Sequence, residues 1–246
     1  MALKTFIDSL ANTASQMLYP LHVTCLACGN ELDGAGGEDL CADCRLDYIE
    51  AFCRMCGRKI ENLAELCDKC IEHEPHRFDS ARSAVVFDET SKKLVYGFKY
   101  GGSKYLAEYL AGFLAKTVQE NGFTAADLLT FVPLHKRRQR KRGYNQSELL
   151  AKSLSRKVNI ACESLLKKTQ HTKNLAKLNR TQRNEIIRGT FECTFGRSVL
   201  KGKSVLLVDD VLTTGATADE CARVLKKAGA EKVFVITFAS VQNKAK

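Results

Sequence analysis

Residues 205–220, VLLVDDVLTTGATADE, decide the fold of this chain. Four apolar residues of a buried strand lead into two adjacent acids, Asp209 and Asp210, and then into a loop of small and hydroxylated residues. Because ligands of parallel sheets bind beyond the carboxyl ends of the strands, we expect both acids at a solvent-facing strand end. The loop then joins the strand to a helix, whose N-terminus and backbone amides favour a phosphate.

The paired acids need a partner other than the phosphate, because two carboxylates repel an anion nearby. Vicinal hydroxyls of a ribose suit them, since each carboxylate accepts hydrogen bonds from the diol and a divalent metal can reduce the repulsion. The alternative is a capped turn flanked by surface acids that bind nothing.

Strand and helix patterns alternate through the larger part of the chain. We expect buried strands over 84–88, 128–133, 205–209 and 233–239, and helices over 104–119, 145–157 and 217–228. This order predicts an α/β domain built on a parallel sheet flanked by helices. The chain of 246 residues lacks an apolar run long enough to span a membrane. We therefore expect a cytoplasmic protein.

Eight of the eleven cysteines form four Cys-x-x-Cys pairs within residues 25–70. Two such pairs complete a closed tetrahedral zinc site, which is typical of structural metal. Pairing in chain order predicts two zinc ribbons, with a cross-braced arrangement and a disulfide framework as alternatives. The expected ligands are Cys25, Cys28, Cys41 and Cys44 for one site and Cys53, Cys56, Cys67 and Cys70 for the other.

Charge divides the chain near the same place. Residues 1–76 carry a net charge of −7, whereas residues 77–246 carry +17. Such basic surface favours polyanions, including phosphorylated substrates and nucleic acid. We expect three parts: an amphipathic helix over 1–24, the zinc-ribbon region over 25–76, with a hinge near residues 73–76, and the α/β domain over 77–246.

The acid pair and loop resemble the phosphoribosyl pyrophosphate (PRPP) motif of type I phosphoribosyltransferases. By that resemblance Asp209 and Asp210 bind the ribose diol, with Mg²⁺ bound beside PRPP. The resemblance also assigns the 5′-phosphate to five loop residues: Thr213, Thr214, Gly215, Ala216 and Thr217.

The order of motifs along the chain is similar to that of the competence-associated ComF family, which includes ComFC and GntX. The cysteine pairs are followed by residues 98–102, FKYGG, then 132–135, VPLH, then 142–146, RGYNQ, and then the acid pair. The resemblance implies that Lys99 contacts pyrophosphate, with Tyr100 and Gly101 shaping the loop around it. It also implies a flexible loop over the site made of Arg142, Gly143, Tyr144, Asn145 and Gln146. The family's amides at two further positions are replaced by Leu175 and Ile186, so we assign no polar contact there.

A basic run occupies residues 135–142, HKRRQRKR. It fits a lid that closes over pyrophosphate, a DNA contact through Lys136, Arg137, Arg138, Arg140 and Lys141, or a solvated loop. Three function classes stay open: an active phosphoribosyltransferase, a PRPP-binding module that handles DNA without turnover, and a PRPP-sensing regulator. The resemblance implies single-stranded transforming DNA and other competence proteins, such as a DNA-translocating helicase, as partners.

Overall fold

The computed structural model describes residues 23–32, 39–60, 64–72, 75–172, 180–195 and 199–242. Almost all of the predicted helix over 1–24 lies outside these residues, as do Leu175 and half of the predicted hinge at 73–76. Across the part of the chain that the structure describes, no helix combines the length and apolar content needed to cross a membrane.

The chain forms two compact units, Met1–Leu46 and Asp47–Lys246. This differs from the predicted division after residue 76, because the second cysteine cluster belongs to the same unit as the sheet. Two backbone hydrogen bonds join the cluster and the segment before it to strand residues of the sheet. Ala81 N donates to Met55 O at 2.8 Å, and Ile49 N donates to Ala84 O at 3.1 Å.

The second unit contains six strands and seven α-helices among its described residues. In chain order they are α1 (Asp68–Glu72), β1 (Ser80–Val86), α2 (Glu89–Tyr100), α3 (Leu106–Glu120), β2 (Leu128–Phe131), α4 (Lys136–Arg142), α5 (Gln146–Val158), β3 (Leu166–Lys168), α6 (Arg180–Ile187), β4 (Phe191–Cys193), β5 (Ser204–Leu212), α7 (Ala216–Lys227) and β6 (Lys232–Ser240).

The predicted parallel α/β sheet is confirmed. Its strand order is β1-β6-β5-β2, with every neighbouring pair parallel, while β3 and β4 form a separate antiparallel pair. Helices cover both faces of the sheet, as a parallel sheet requires. On one face Phe113 of α3 meets Phe238 of β6 with ring centroids 5.8 Å apart. On the other, Cys221 and Leu225 of α7 pack into a cluster with alternate residues of β5 and β6.

Helix α2 was not predicted, and its start corrects the strand expected over 84–88. Asp88 ends the extended segment and caps the helix: its carboxylate accepts from Ser91 N at 2.8 Å, and Ser91 Oγ accepts from Asp88 N at 2.8 Å. This reciprocal pair satisfies two amides that a helix start otherwise leaves unpaired. The helix runs on to Tyr100 and so carries Lys99 toward the end of β5.

Candidate functional site

Strand β5 carries both acids, but not at a solvent-facing end. The strand continues three residues beyond its predicted end, to Leu212, and pairs with β6 along this extension. Asp210 is 3% exposed, and Asp209 accepts from Ser147 Oγ at 2.7 Å. Burial, followed by the neighbouring charge of Asp210, raises the pKa of Asp209 to about 7. Asp210 is therefore buried rather than solvent-facing, whereas Asp209 is half-buried.

Lys99 lies beside this acid pair. Its Nζ is 2.6 Å from Oδ2 of Asp210, and its side chain is only 19% exposed. The family resemblance implied a loop at Lys99 and Tyr100, whereas both lie in the last turn of α2, and Gly101 caps that helix. Tyr100 is 73% exposed, and the Arg142 guanidinium lies 5.0 Å from its ring centroid.

The loop after β5 joins the strand to α7 as the sequence predicts. Gly215 takes φ +84° at the N-cap of α7, a conformation that favours glycine. Helix α7 begins at Ala216, whose amide lies 3.4 Å from Thr214 Oγ1, and no side chain caps this helix among the described residues. Residues 213–217 are called the phosphate loop below. Together with Lys99, the phosphate loop and the acids bring cationic, anionic and amide groups to one edge of the sheet.

Residues 142–146, predicted to form a flexible loop over the site, connect α4 to α5 in the structure. Gly143 ends α4 at φ +84°, and Tyr144 is buried with its hydroxyl donating to Phe98 O. Asn145 caps α5 by accepting from Ser147 N at 3.1 Å, and its Nδ2 donates to Val132 O at 3.1 Å. Gln146 is also buried and accepts from Arg142. These contacts hold the segment as a helix-to-helix connection between α4 and α5.

The basic run is helical rather than a loop. It forms α4, and the His135 side chain caps it by accepting from Arg137 N at 3.3 Å. Residues 136–141 are exposed, and a shallow groove of ≈ 450 Å³ is lined by Lys136, Gln139, Arg140 and Gly143. Among the described residues no carboxylate forms an ion pair with the five cations predicted to contact nucleic acid: Lys136, Arg137, Arg138, Arg140 and Lys141.

The eight cysteines form two four-sulfur clusters in chain order, so the predicted pairing is confirmed over the cross-braced alternative. None of the eight forms a disulfide in the structure. Sulfur atoms from the two different Cys-x-x-Cys pairs of a site lie close together: Sγ of Cys28 and Cys41 are 3.7 Å apart, and Sγ of Cys56 and Cys67 are 3.6 Å apart. Tetrahedral Zn²⁺ with Zn–S bonds near 2.3 Å requires sulfur separations of about 3.8 Å. The donor sets therefore fit structural zinc.

Each cluster contains a tight turn of the same type, here called a knuckle, which runs over residues 25–30 in the first cluster and 53–58 in the second. Gly29 N donates to Cys25 O at 2.8 Å in the first cluster, and Gly57 N donates to Cys53 O at 2.8 Å in the second. Both glycines take positive φ, +79° and +67°. The first cysteine of each knuckle closes a further bond, Cys25 N to Asn30 O at 2.7 Å and Cys53 N to Arg58 O at 2.8 Å.

Comparisons with known proteins find matches both for the cysteine clusters and for the α/β domain. A family model for the phosphoribosyl transferase domain matches residues 145–246, and one for the double zinc ribbon domain matches residues 14–71. Competence protein F of Haemophilus influenzae is 30% identical over 226 residues, which cover 89% of this chain and 97% of that protein. The chain belongs to the ComF family.

Two further relatives are less similar to this ComF-family protein than competence protein F is. Competence protein ComFC of Bacillus subtilis is 28% identical over 78% of this chain and 80% of its own length. DNA utilization protein YhgH of Escherichia coli is 27% identical over 76% of this chain and 82% of its own length. Among solved structures, glutamine PRPP amidotransferase of B. subtilis is 24% identical with a TM-score of 0.37, over 53% of this chain and a quarter, 25%, of that enzyme.

Four residues of this ComF-family protein reach the site without having been predicted. Ser147 bonds to Asp209, as described above, and Arg183 Nη1 donates to Thr213 Oγ1 at 2.9 Å. Lys168 lies near Asp209, and burial lowers the pKa of its ammonium. Arg58, from the second cysteine cluster, donates to Thr213 O. The sequence came near to indicating Arg183, because Ile186, where no polar contact was assigned, lies three residues later. The Ile186 side chain is 44% exposed.

Proposed function

We propose that this ComF-family protein binds PRPP with Mg²⁺ at the carboxyl-end edge of its sheet. The observation that carries the proposal is that only two residues separate the phosphate loop from the paired acids and that the loop leads into α7, while a separate helix brings Lys99 to Asp210. In this assignment the amides and hydroxyls of the phosphate loop hold the 5′-phosphate. Asp209 and Asp210 accept hydrogen bonds from the ribose hydroxyls.

Lys99 has a part in releasing pyrophosphate. Its ammonium lies 2.6 Å from Asp210 Oδ2 while its side chain keeps 19% exposure, so it can pair with an incoming anion without leaving the acid. When the bond from C1′ to pyrophosphate breaks, positive charge develops on the sugar. The adjacent carboxylates of Asp209 and Asp210 then stabilise that charge, and Lys99 stabilises the departing anion. Bound Mg²⁺, which prefers oxygen ligands such as these carboxylates and phosphates, adds charge neutralisation at the pyrophosphate.

Binding is tested by calorimetric titration of PRPP with Mg²⁺. Asp209→Asn should weaken the affinity by about tenfold or more, the effect of losing one charged hydrogen-bond acceptor. Asp127→Asn is the matched control, since Asp127 is exposed and accepts from Ser204 N at the amino end of the same strand. Absence of PRPP binding to the unmodified protein, or equal effects of the two substitutions, would refute the assignment.

Turnover is measured separately, as pyrophosphate release from PRPP in the presence of a panel of nucleobases or of single-stranded DNA. A ribosylated product makes the protein a phosphoribosyltransferase. Tight PRPP binding without product supports instead the PRPP-binding DNA-handling module or the PRPP-sensing regulator.

A second candidate function is binding of single-stranded DNA, and the exposed cations of α4 favour it. A cationic surface without acidic partners attracts nucleic-acid phosphates and releases their counterions. Relatives named competence protein F and DNA utilization protein YhgH point in the same direction. We place the protein in the cytoplasm, handling transforming DNA with other competence proteins such as a DNA-translocating helicase. Fluorescence anisotropy of a labelled single strand tests this, and lack of binding at low salt would exclude it.

A further inference from the structure

The second cysteine cluster is joined backbone-to-backbone to the sheet that carries the site. A Cβ atom on Gly57 would lie 2.3 Å from Ala81 O, closer than atoms can approach. Only glycine therefore permits this packing, and the hydrogen bond from Ala81 N to Met55 O holds it. As a result, the position of the knuckle is fixed relative to β1.

Arg58 extends from this knuckle to the phosphate loop. The residue is 4% exposed. Its guanidinium donates to Thr213 O, donates through Nε to Val241 O at 3.1 Å, and lies 3.9 Å from Cys56 Sγ. One planar group thus contacts a metal-ligating sulfur, the segment after β6 and the first residue of the phosphate loop. Arginine suits this role because its donors are fixed in one plane.

The other end of the loop is held by the segment that follows the cluster. His76 packs against Gly215, where a Cβ would lie 2.9 Å from its Cε1, and it stacks on Phe78 with centroids 4.3 Å apart. Arg77 N donates to the Asp219 carboxylate in the first turn of α7. The phosphate loop is therefore enclosed between Arg58 at its start and His76 at the N-cap.

We propose that Arg58 is a positioning residue that holds the phosphate loop in its phosphate-binding conformation, so that zinc in the second cluster controls PRPP affinity. A loop fixed before binding loses less conformational freedom when the ligand arrives. The knuckle depends on its metal, since such modules lose their structure without it. Loss of zinc then releases Arg58 and with it the Thr213 carbonyl. The identification of PRPP as the ligand in this inference rests on the proposed function, but the order of the phosphate loop can be measured without PRPP.

The test compares Arg58→Gln with Arg54→Gln in the full chain. Arg54 lies on the same knuckle, but its side chain is 70% exposed and pairs with Glu65 at 3.0 Å. For each protein we would measure zinc content, amide hydrogen exchange of peptides covering the phosphate loop, and PRPP affinity with Mg²⁺. Arg58→Gln should keep two zinc ions per chain yet speed exchange in the phosphate loop and weaken PRPP binding, each by about tenfold, because it removes charged hydrogen bonds to the backbone carbonyls of Thr213 and Val241. Arg54→Gln should match the unmodified protein.

Two further variants separate positioning from folding. Arg58→Lys keeps the charge but cannot bridge both carbonyls, so it should fold and show an intermediate change in exchange and affinity. Cys67→Ser should lower the zinc content from two to about one per chain and reproduce the effects of Arg58→Gln on the loop.

Unchanged loop exchange in both Arg58 variants, or the same change in Arg54→Gln, would overturn the proposal. If the unmodified protein does not bind PRPP, the proposed function is wrong, and the exchange comparison still decides whether Arg58 positions the loop.

Discussion

The ion pair between Lys99 and Asp210 should be strongly coupled, and a double-mutant cycle can measure this. The Nζ to Oδ2 distance of 2.6 Å corresponds to an attraction of about 6 kcal/mol at an effective dielectric constant of 20. Desolvation of both groups offsets much of this attraction, since the side chains are only 19% and 4% exposed. We therefore expect a coupling free energy of about 2 kcal/mol between the two side chains.

The two single substitutions should differ in their cost. Lys99→Met removes the cation paired with Asp210 and leaves that buried charge beside Asp209, so the free energy of unfolding should fall by about 3 kcal/mol. Asp210→Asn removes one of two repelling acids and leaves a lysine near the exposed edge, so it should cost about 1 kcal/mol. The double variant should be less destabilised than the sum of these losses.

Urea unfolding followed by far-ultraviolet circular dichroism is suitable, because the chain contains no tryptophan for a fluorescence assay. The control cycle uses Lys92→Met and Glu89→Gln on the same helix, whose ion pair of 3.1 Å is exposed. That pair should couple by about 0.5 kcal/mol or less. Equal coupling in the two cycles would refute the view that burial makes the Lys99 pair strong.

Three further predictions concern metal, pH and DNA. Elemental analysis of purified protein should find close to two zinc ions per chain. Chelation should unfold both knuckles, because metal binding contributes roughly 10–16 kcal/mol to folding in comparable modules. Metal-free protein with disulfides would contradict this. Because the pKa of Asp209 is raised to about 7, the folded state binds an extra proton, so the free energy of unfolding should fall as pH rises from about 4 to about 7 and then level off. Urea titrations across that range should show a flatter profile for Asp209→Asn, and an unchanged profile would argue against the raised pKa. Replacing Lys136, Arg140 and Lys141 together by Ala should reduce the salt slope of single-stranded DNA binding by about 0.7 per lost contact, and an unchanged slope would remove α4 from the DNA-binding surface.

The sequence predicted those parts of the site that are contiguous along the chain. Cysteine spacing identified both metal clusters, and the apolar run before Asp209 located the strand and phosphate loop together. Contacts between distant residues left no such signal: Arg58 and Thr213 are 155 positions apart. The burial of Tyr144 was also not predictable, because it depends on a contact with Phe98, in a helix that the sequence did not predict.

The strand order also determines when this protein can fold during synthesis. Strand β6 is the last strand among the described residues, yet it lies in the interior of the sheet, with β1 on one side and β5 on the other. Ser80 of β1 pairs with Phe234 of β6, more than 150 residues later. Such contacts form slowly because a long loop must close first. On the ribosome, β1 therefore stays without its sheet partner until residues 232–240 have been synthesised. A release or stalling event before residue 232 would leave the edges of β1 and β5 open to pairing with other chains.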